Sequence, residues 1–149
     1  KYVLPPSFAI DPARLTHAYL KSRFVAAGNV GKFAASVREV AVDHVIVDPD
    51  NKIGAAVGVG KKDQYTIRVI IDLNAYGTGK YVQKSLSIKG QRSVEISEFA
   101  SIERREQDQM AAMDHLLDDL DEAIQKIMRE EFSFLGAQST FKGIVSTDN

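Results

Sequence analysis

Residues 65–73 read YTIRVIIDL. Tyr65, Ile67, Val69, Ile71 and Leu73 stand at every second position, with Thr66, Arg68, Ile70 and Asp72 between them. Successive strand residues point to opposite sides of a sheet. This period of two therefore marks a strand with one face in a core and one toward water. Tyr76-Gly77-Thr78-Gly79-Lys80 follows as a turn. Val82, Leu86 and Ile88 then alternate with Gln83, Ser85 and Ser87. Two half-buried strands joined by a short glycine-rich loop make an antiparallel hairpin. Val94 and Ile96 extend its second arm.

Downstream, Phe99, Ile102, Met110, Met113, Leu117, Leu120, Ile124, Ile127 and Met128 recur at steps dominated by three and four. That spacing predicts a helix over 98–134 with one apolar face, stopped by Gly136. The 3-4-3-4-3 run from Met110 to Ile127 is read as core packing on the sheet, with a helix-to-partner seam as its rival. Residues 137–149 are small and polar apart from Phe141, Ile144 and Val145, and read as a loose tail. A short docking strand is the rival reading there.

Upstream, residues 36–47 are dense in β-branched side chains and predict a strand ending at the turn Asp48-Pro49-Asp50-Asn51. Residues 30–35 are open between a short helix and a loop. Asp11-Pro12 supplies a helix N-cap and first-turn proline, and Gly28-Asn29 a stop, which predicts a helix over 12–27. Residues 2–10 are apolar but carry Pro5 and Pro6, so a strand there lies at an edge or starts after them. The stretch GAAVGVGKKD (54–63) reads as a mobile connection.

Strands with one apolar face and two amphipathic helices to cover it predict an α+β two-layer sandwich. It has a three- to four-stranded, mainly antiparallel sheet with two helices on one face, one of them the long C-terminal helix. Residues 1–136 form the single domain and 137–149 the tail. The 149 residues suit one domain.

Composition excludes several classes. Hydrophobic residues make up 44% and charged residues 26%, as in a soluble globular chain rather than a disordered one. There are no cysteines, hence no disulfide, no thiolate zinc site and no cysteine nucleophile. Residues 1–100 hold 14 Lys+Arg against 9 Asp+Glu, and residues 101–149 hold 5 against 11. The sheet part is thus mildly basic and the long helix acidic. A solvated acidic helix face is the plain explanation; the sharper one is a sheet face that attracts an anionic ligand. The pI near 6.3 and the absence of tryptophan or a basic run speak against nucleic acid.

No motif of catalytic chemistry is present. A phosphate loop fails because Ala55 stands where the first glycine belongs and Lys62 where the hydroxyl belongs. A dinucleotide fingerprint fails at Asp63. A calcium loop from Asp48 fails at Ile53 and Val59. Asp114, Asp118 and Asp121 share one helix face, and His115, Asp119 and Glu122 another. Solvated carboxylates explain them better than a metal. His17, His44 and His115 fit no hydrolase or metal spacing, and His44 is read as a hydrogen-bonded structural histidine. The reading is therefore a non-enzyme with no cofactor and no metal.

The stretches YTIRVIIDLNAYGTGKYVQKSLSIKGQRSVEI (65–96) and EFASIERREQDQMAAMDHLLDDLDEAIQKIM (98–128) give the chain its layout. A hairpin of alternating strands runs into a helix opened by Glu, Arg and Gln. This layout resembles small bacterial outer-membrane lipoproteins, the lipopolysaccharide-assembly lipoprotein family in particular. The resemblance carries no individual site residue. It implies a non-enzymatic cell-envelope accessory lipoprotein that supports assembly of, or transport by, a larger outer-membrane or periplasmic machine. It implies a protein partner, and anionic lipid or glycolipid as a further ligand. Membrane contact would come only through a lipid anchor upstream of Lys1, whose non-Met start reads as a processed product. Periplasm, at the outer membrane, is the implied location, with the cytoplasm as alternative. The functional alternative is a structural subunit that self-assembles through the long C-terminal helix. Alternation puts Arg68 and Lys89 on the hydrophilic face of their strands, and they are the candidate binding residues for an anionic group.

Overall fold

The computed structural model describes residues 3–23, 32–50, 52–76 and 82–131. The element order is α1 (Pro12–Arg23), β1 (Lys32–Val47), α2 (Lys52–Val57), β2 (Lys62–Tyr76), β3 (Val82–Ser97) and α3 (Ile102–Glu130). Alternation decides the centre. Tyr65, Ile67, Val69, Ile71, Leu73 and Ala75 of β2 are fully buried. Thr66, Arg68, Ile70, Asp72 and Asn74 are not. The strand order is β1-β2-β3, antiparallel throughout, so β2 has a hydrogen-bonded neighbour on each side.

β1 begins at Lys32, so residues 32–35 are strand rather than short helix or loop. The cause of that difference is a β-bulge. The register shifts between Val37 and Glu39, leaving Arg38 as the extra residue. Before the bulge the odd residues Phe33 and Ala35 are buried; after it the even residue Val42 is. A bulge exchanges the two faces along one strand, which hides the alternation from a sequence reading.

Residues 3–10 form no strand. The prolines shape a turn closed by Phe8 N–H donating to the Pro5 carbonyl (2.9 Å). Phe8 and Ile10 still reach the core. The segment is held by Gln109 of α3, a fully buried polar side chain. Its Oε1 accepts from Ala9 N–H (2.8 Å) and its Nε2 donates to the Ser7 carbonyl (3.1 Å). One amide thus replaces the ladder partners that the segment lacks. Among the described residues the sheet accordingly has three strands.

α3 starts at Ile102, after the N-cap Ser101, whose side chain accepts from Arg104 N–H (3.1 Å), and not at residue 98. At ~1.5 Å per residue its 29 residues run for about 43 Å. Its buried face is Gln109, Ala112, Met113, Leu116, Leu120 and Ile124. Leu116 takes the deep position that the spacing assigns to Leu117. Phe99 and Ile102 lie outside the core, at 73% and 82% exposure. They belong to the turn and first residue of the helix, before the helix reaches the sheet. Gly136 and the tail over 137–149 lie outside the described residues.

α3 packs along β3, and Gly90 fixes how closely. A Cβ at Gly90 would stand 2.8 Å from both Leu116 Cδ1 and Leu120 Cδ2. α1 buries Pro12, Thr16 and Leu20 in the same core. It is tied to α3 through Asp121, which accepts from Tyr19 Oη (2.6 Å) and from Arg23 Nε (2.6 Å) and Nη2 (3.0 Å). The segment over 54–63 is not one flexible connection. It takes in the end of α2 and the start of β2, and after α2 Gly58 and Gly60 stand at φ +68° and +84°, values that residues other than glycine rarely adopt. The architecture is an α+β two-layer sandwich with α1 and α3 over one face of the sheet.

Two substitutions test this packing. Gln109→Leu strands the Ala9 amide and the Ser7 carbonyl and lowers unfolding free energy by about 1–3 kcal/mol. Gly90→Val forces the two leucines aside at a cost of about 1–3 kcal/mol. Urea titration reads both, and unchanged midpoints would contradict the packing.

Candidate functional site

Opposite the helices, the second face of the sheet has no fully buried side chain among the described residues. Cross-strand register sets its rows. Glu39, Ile70 and Lys89 form one row, Ala41, Arg68 and Gln91 the next, and Asp43, Thr66 and Ser93 a third. Most of the face is cross-linked to itself. Asp72 accepts from Arg38 Nε (2.7 Å) and Ser87 Oγ (2.6 Å). Ser85 donates to Asn74 (2.6 Å), and Thr66 pairs with Ser93 (2.8 Å). Arg68 Nη2 lies 3.0 Å from Asp43 Oδ2.

One exception surrounds Ile70. A cleft of about 200 Å³ opens there, lined by Glu39, Arg68, Ile70, Lys89, Gln91 and the backbone near Gly90. The side chains of Glu39, Lys89 and Gln91 have no hydrogen-bond or ion-pair partner among the described residues. Arg68 and Lys89 are thus diagonal neighbours on one cleft wall; alternation puts both on this face, and the register between β2 and β3 brings them together. A cation with no internal partner beside a half-exposed guanidinium suits an anionic group. Sequence reasoning missed the rest of the lining. Gln91 and Ile70 follow from the same alternation as Lys89 and Arg68. Glu39 does not, because only the bulge at Arg38 turns it to this face.

A second constellation sits where β1, β2 and α3 meet. His44 Nε2 is 2.8 Å from Asp63 Oδ1, and Arg105 Nη1 donates to Asp63 Oδ2 (2.7 Å). Arg105 Nη2 also reaches the Ser97 carbonyl (3.1 Å). The His44 ring stacks on Tyr65, with centroids 4.6 Å apart and planes 14° apart. The Tyr65 hydroxyl in turn bonds Ser7 Oγ. Among the described residues no hydroxyl bonds His44, and Asp63 is shared with a guanidinium. The group acts as a cross-link between two strands and a helix, and His44 takes the hydrogen-bonded role that its place in the strand suggests. On α3, Asp119 and His115 both face Arg92 of β3, at 3.2 and 2.8 Å. Asp114, Asp118 and Glu122 are exposed.

Burial opposes the charge of Asp63, Asp72 and Asp121. The bonds from His44 and Arg105, from Ser87 and Arg38, and from Arg23, Tyr19 and Gln125 outweigh it. All three carboxyls are held below their ordinary range. Tyr19 moves upward, through burial first and the adjacent Asp121 second. No protein-family model, curated protein or solved structure matches the chain.

The three carboxylates predict acid sensitivity. In the unfolded chain they titrate near about 3.9. Their contribution is complete above that value and is lost as pH falls through the lower folded values. Unfolding free energy should hold level down to about pH 5 and then decline. Asp63→Asn should cost about 1–3 kcal/mol near neutral pH and make the acid decline shallower. Urea titration across the acid range checks both; a profile that stays level in acid would contradict the assignment.

Proposed function

We propose that the chain is a non-enzymatic binding module, an accessory lipoprotein of the bacterial cell envelope. It presents the open face of its sheet to a partner in a larger outer-membrane or periplasmic assembly. In this reading it works on the periplasmic side and is tethered through a lipid carried upstream. One observation carries the proposal. A long sheet roofed on one side leaves a largely polar, self-linked face, and Glu39, Lys89 and Gln91, whose side chains have no partner among the described residues, gather at the cleft around Ile70. Arg68 and Lys89 would take the anionic group of the ligand, as a protein carboxylate or as the phosphate of a lipid or glycolipid. β1 and β3 are the edges of the sheet, and an extended partner segment can add to such an edge by backbone hydrogen bonds. The resemblance of its layout to small envelope lipoproteins is what suggests the setting.

Self-assembly through α3 has less support. The apolar stripe that a helix-to-helix seam needs is placed against the chain's own sheet, with Met113, Leu116, Leu120 and Ile124 buried there.

A photoreactive amino acid placed at Gln91 in cells should give a discrete adduct with a partner. Arg68→Glu with Lys89→Glu should remove it. The same probe at Glu122, on the exposed side of α3, should give none. Adducts from Glu122 alone, or adducts from Gln91 that survive the double charge reversal, would overturn the proposal.

A further inference from the structure

The cleft around Ile70 holds a carboxylate that a purely anionic ligand leaves unmatched. Glu39 lines it together with Arg68, Lys89 and Gln91. Glu39 and Lys89 are the two ends of one cross-strand row, with Ile70 between them. Neighbouring strands lie about 5 Å apart, so these two backbones stand about 10 Å apart. Their side chains form no ion pair with each other, and neither has another partner among the described residues. Arg68, diagonal to Glu39, turns to Asp43 instead (3.0 Å). Glu39 reaches this face only because of the bulge at Arg38. Before the bulge the odd residues Phe33 and Ala35 are buried in the core. Bulges re-aim side chains and recur beside functional sites.

The other side of the cleft is a triangle of donors. Lys89 and Gln91 stand two positions apart on the same face of β3, and Arg68 pairs with Gln91 in register. A guanidinium carries several N–H groups, so Arg68 keeps donors beyond the Nη2 that meets Asp43. Donors on three sides suit a phosphate, whose oxygens spread tetrahedrally, better than a planar carboxylate. Across the floor, Glu39 is placed to accept from an ammonium. Ile70, half-buried between the two charges, suits a short methylene linker. The volume of about 200 Å³ lies below the roughly 300–1,000 Å³ of pockets for larger ligands, so one small group fits. A protein footprint fits less well. Such an interface buries about 800 Å² on each side around apolar or aromatic anchors. Here the neighbouring polar groups already bond to one another, Asp72 to Arg38 and Ser87, and Thr66 to Ser93. Those rows add no free charge, since Arg38 matches Asp72 and Arg68 matches Asp43.

We propose that the cleft recognises a dipolar group, an aminoalkyl phosphate of the ethanolamine phosphate kind. Its phosphate sits among Lys89, Gln91 and Arg68, its ammonium on Glu39 and its linker over Ile70. Glu39 is then the residue that sets specificity. It repels a bare anion and attracts one that carries its own cation. The inference rests on the reading of the open face as the binding surface, and it narrows the ligand of that face.

O-phosphoethanolamine titrated into isotope-labelled protein should move the backbone NMR signals of Glu39, Ile70, Lys89 and Gln91 to a plateau. Inorganic phosphate and ethanolamine, each alone, should move them far less. The cleft is open to water, so binding is weak and falls as salt is added. Glu39→Gln should weaken the ester about fivefold and strengthen inorganic phosphate. Lys89→Gln should weaken both. Both sites are exposed, and far-UV circular dichroism should stay unchanged. Recruitment to vesicles that contain phosphatidylethanolamine, and not to those with phosphatidylglycerol, would identify a lipid headgroup as the source. Binding of the ester without recruitment would identify a soluble one. Absence of a plateau would overturn the proposal, as would equal binding of ester and phosphate. Tighter binding of a tripeptide of lysine, glycine and aspartate would overturn it too, in favour of a protein segment. The photoreactive probe at Gln91 separates this failure from failure of the open-face reading. An adduct that Arg68→Glu with Lys89→Glu removes, but Glu39→Lys leaves intact, would mean that the face binds a plain anion.

Discussion

Tyr65, Ile67, Val69, Ile71, Leu73 and Ala75 lose all contact with water on one side of β2, and a three-stranded sheet cannot do that by itself. An apolar sheet face has to be covered by another layer. The rest of the structure answers that demand. α3 lies along β3, close enough that a Cβ at position 90 would displace Leu116 and Leu120. α1 closes the remaining width and is tied to α3 through Asp121. The segment before α1 contributes Phe8 and Ile10, with its backbone bound by Gln109. Once one face is covered in this way, neither long helix remains for the other.

Much of this was legible in the sequence because it rests on periodicity. The strand over 65–73 and the hairpin with β3 obey a period of two. Most of α3 obeys a period near 3.6, and Asp11-Pro12 opens α1. The differences arise where a tertiary contact overrides local pattern. The bulge at Arg38 exchanges the faces of β1, so residues 32–35 do not read as the start of the same strand. Residues 3–10 have strand-like composition, but the prolines forbid a ladder and a single glutamine replaces it. Phe99 and Ile102 fit the helical spacing of α3 yet lie beyond the sheet that would bury them. Glycines that suggest mobility around 54–63 instead end a short helix.

The same division holds for the candidate site. Arg68 and Lys89 were visible because alternation places a side chain on a face without knowledge of partners. That they line one cleft depends on the register between β2 and β3. That Glu39 joins them depends on the bulge. The lack of internal partners around Ile70 is a property of the folded face alone, since Arg38, Asp72, Ser87, Thr66 and Ser93 bond to one another nearby.

A cysteine-free chain allows the division between covered and open faces to be measured directly. Single cysteines at Thr66, Arg68 and Ile70, and at Ile67, Val69 and Ile71, can be reacted with a maleimide in the native state. The account predicts rapid labelling at 66, 68 and 70 and strong protection at 67, 69 and 71. Equal protection of both sets would mean that the sheet is covered on both sides, and the account of this molecule as a one-sided platform would be wrong.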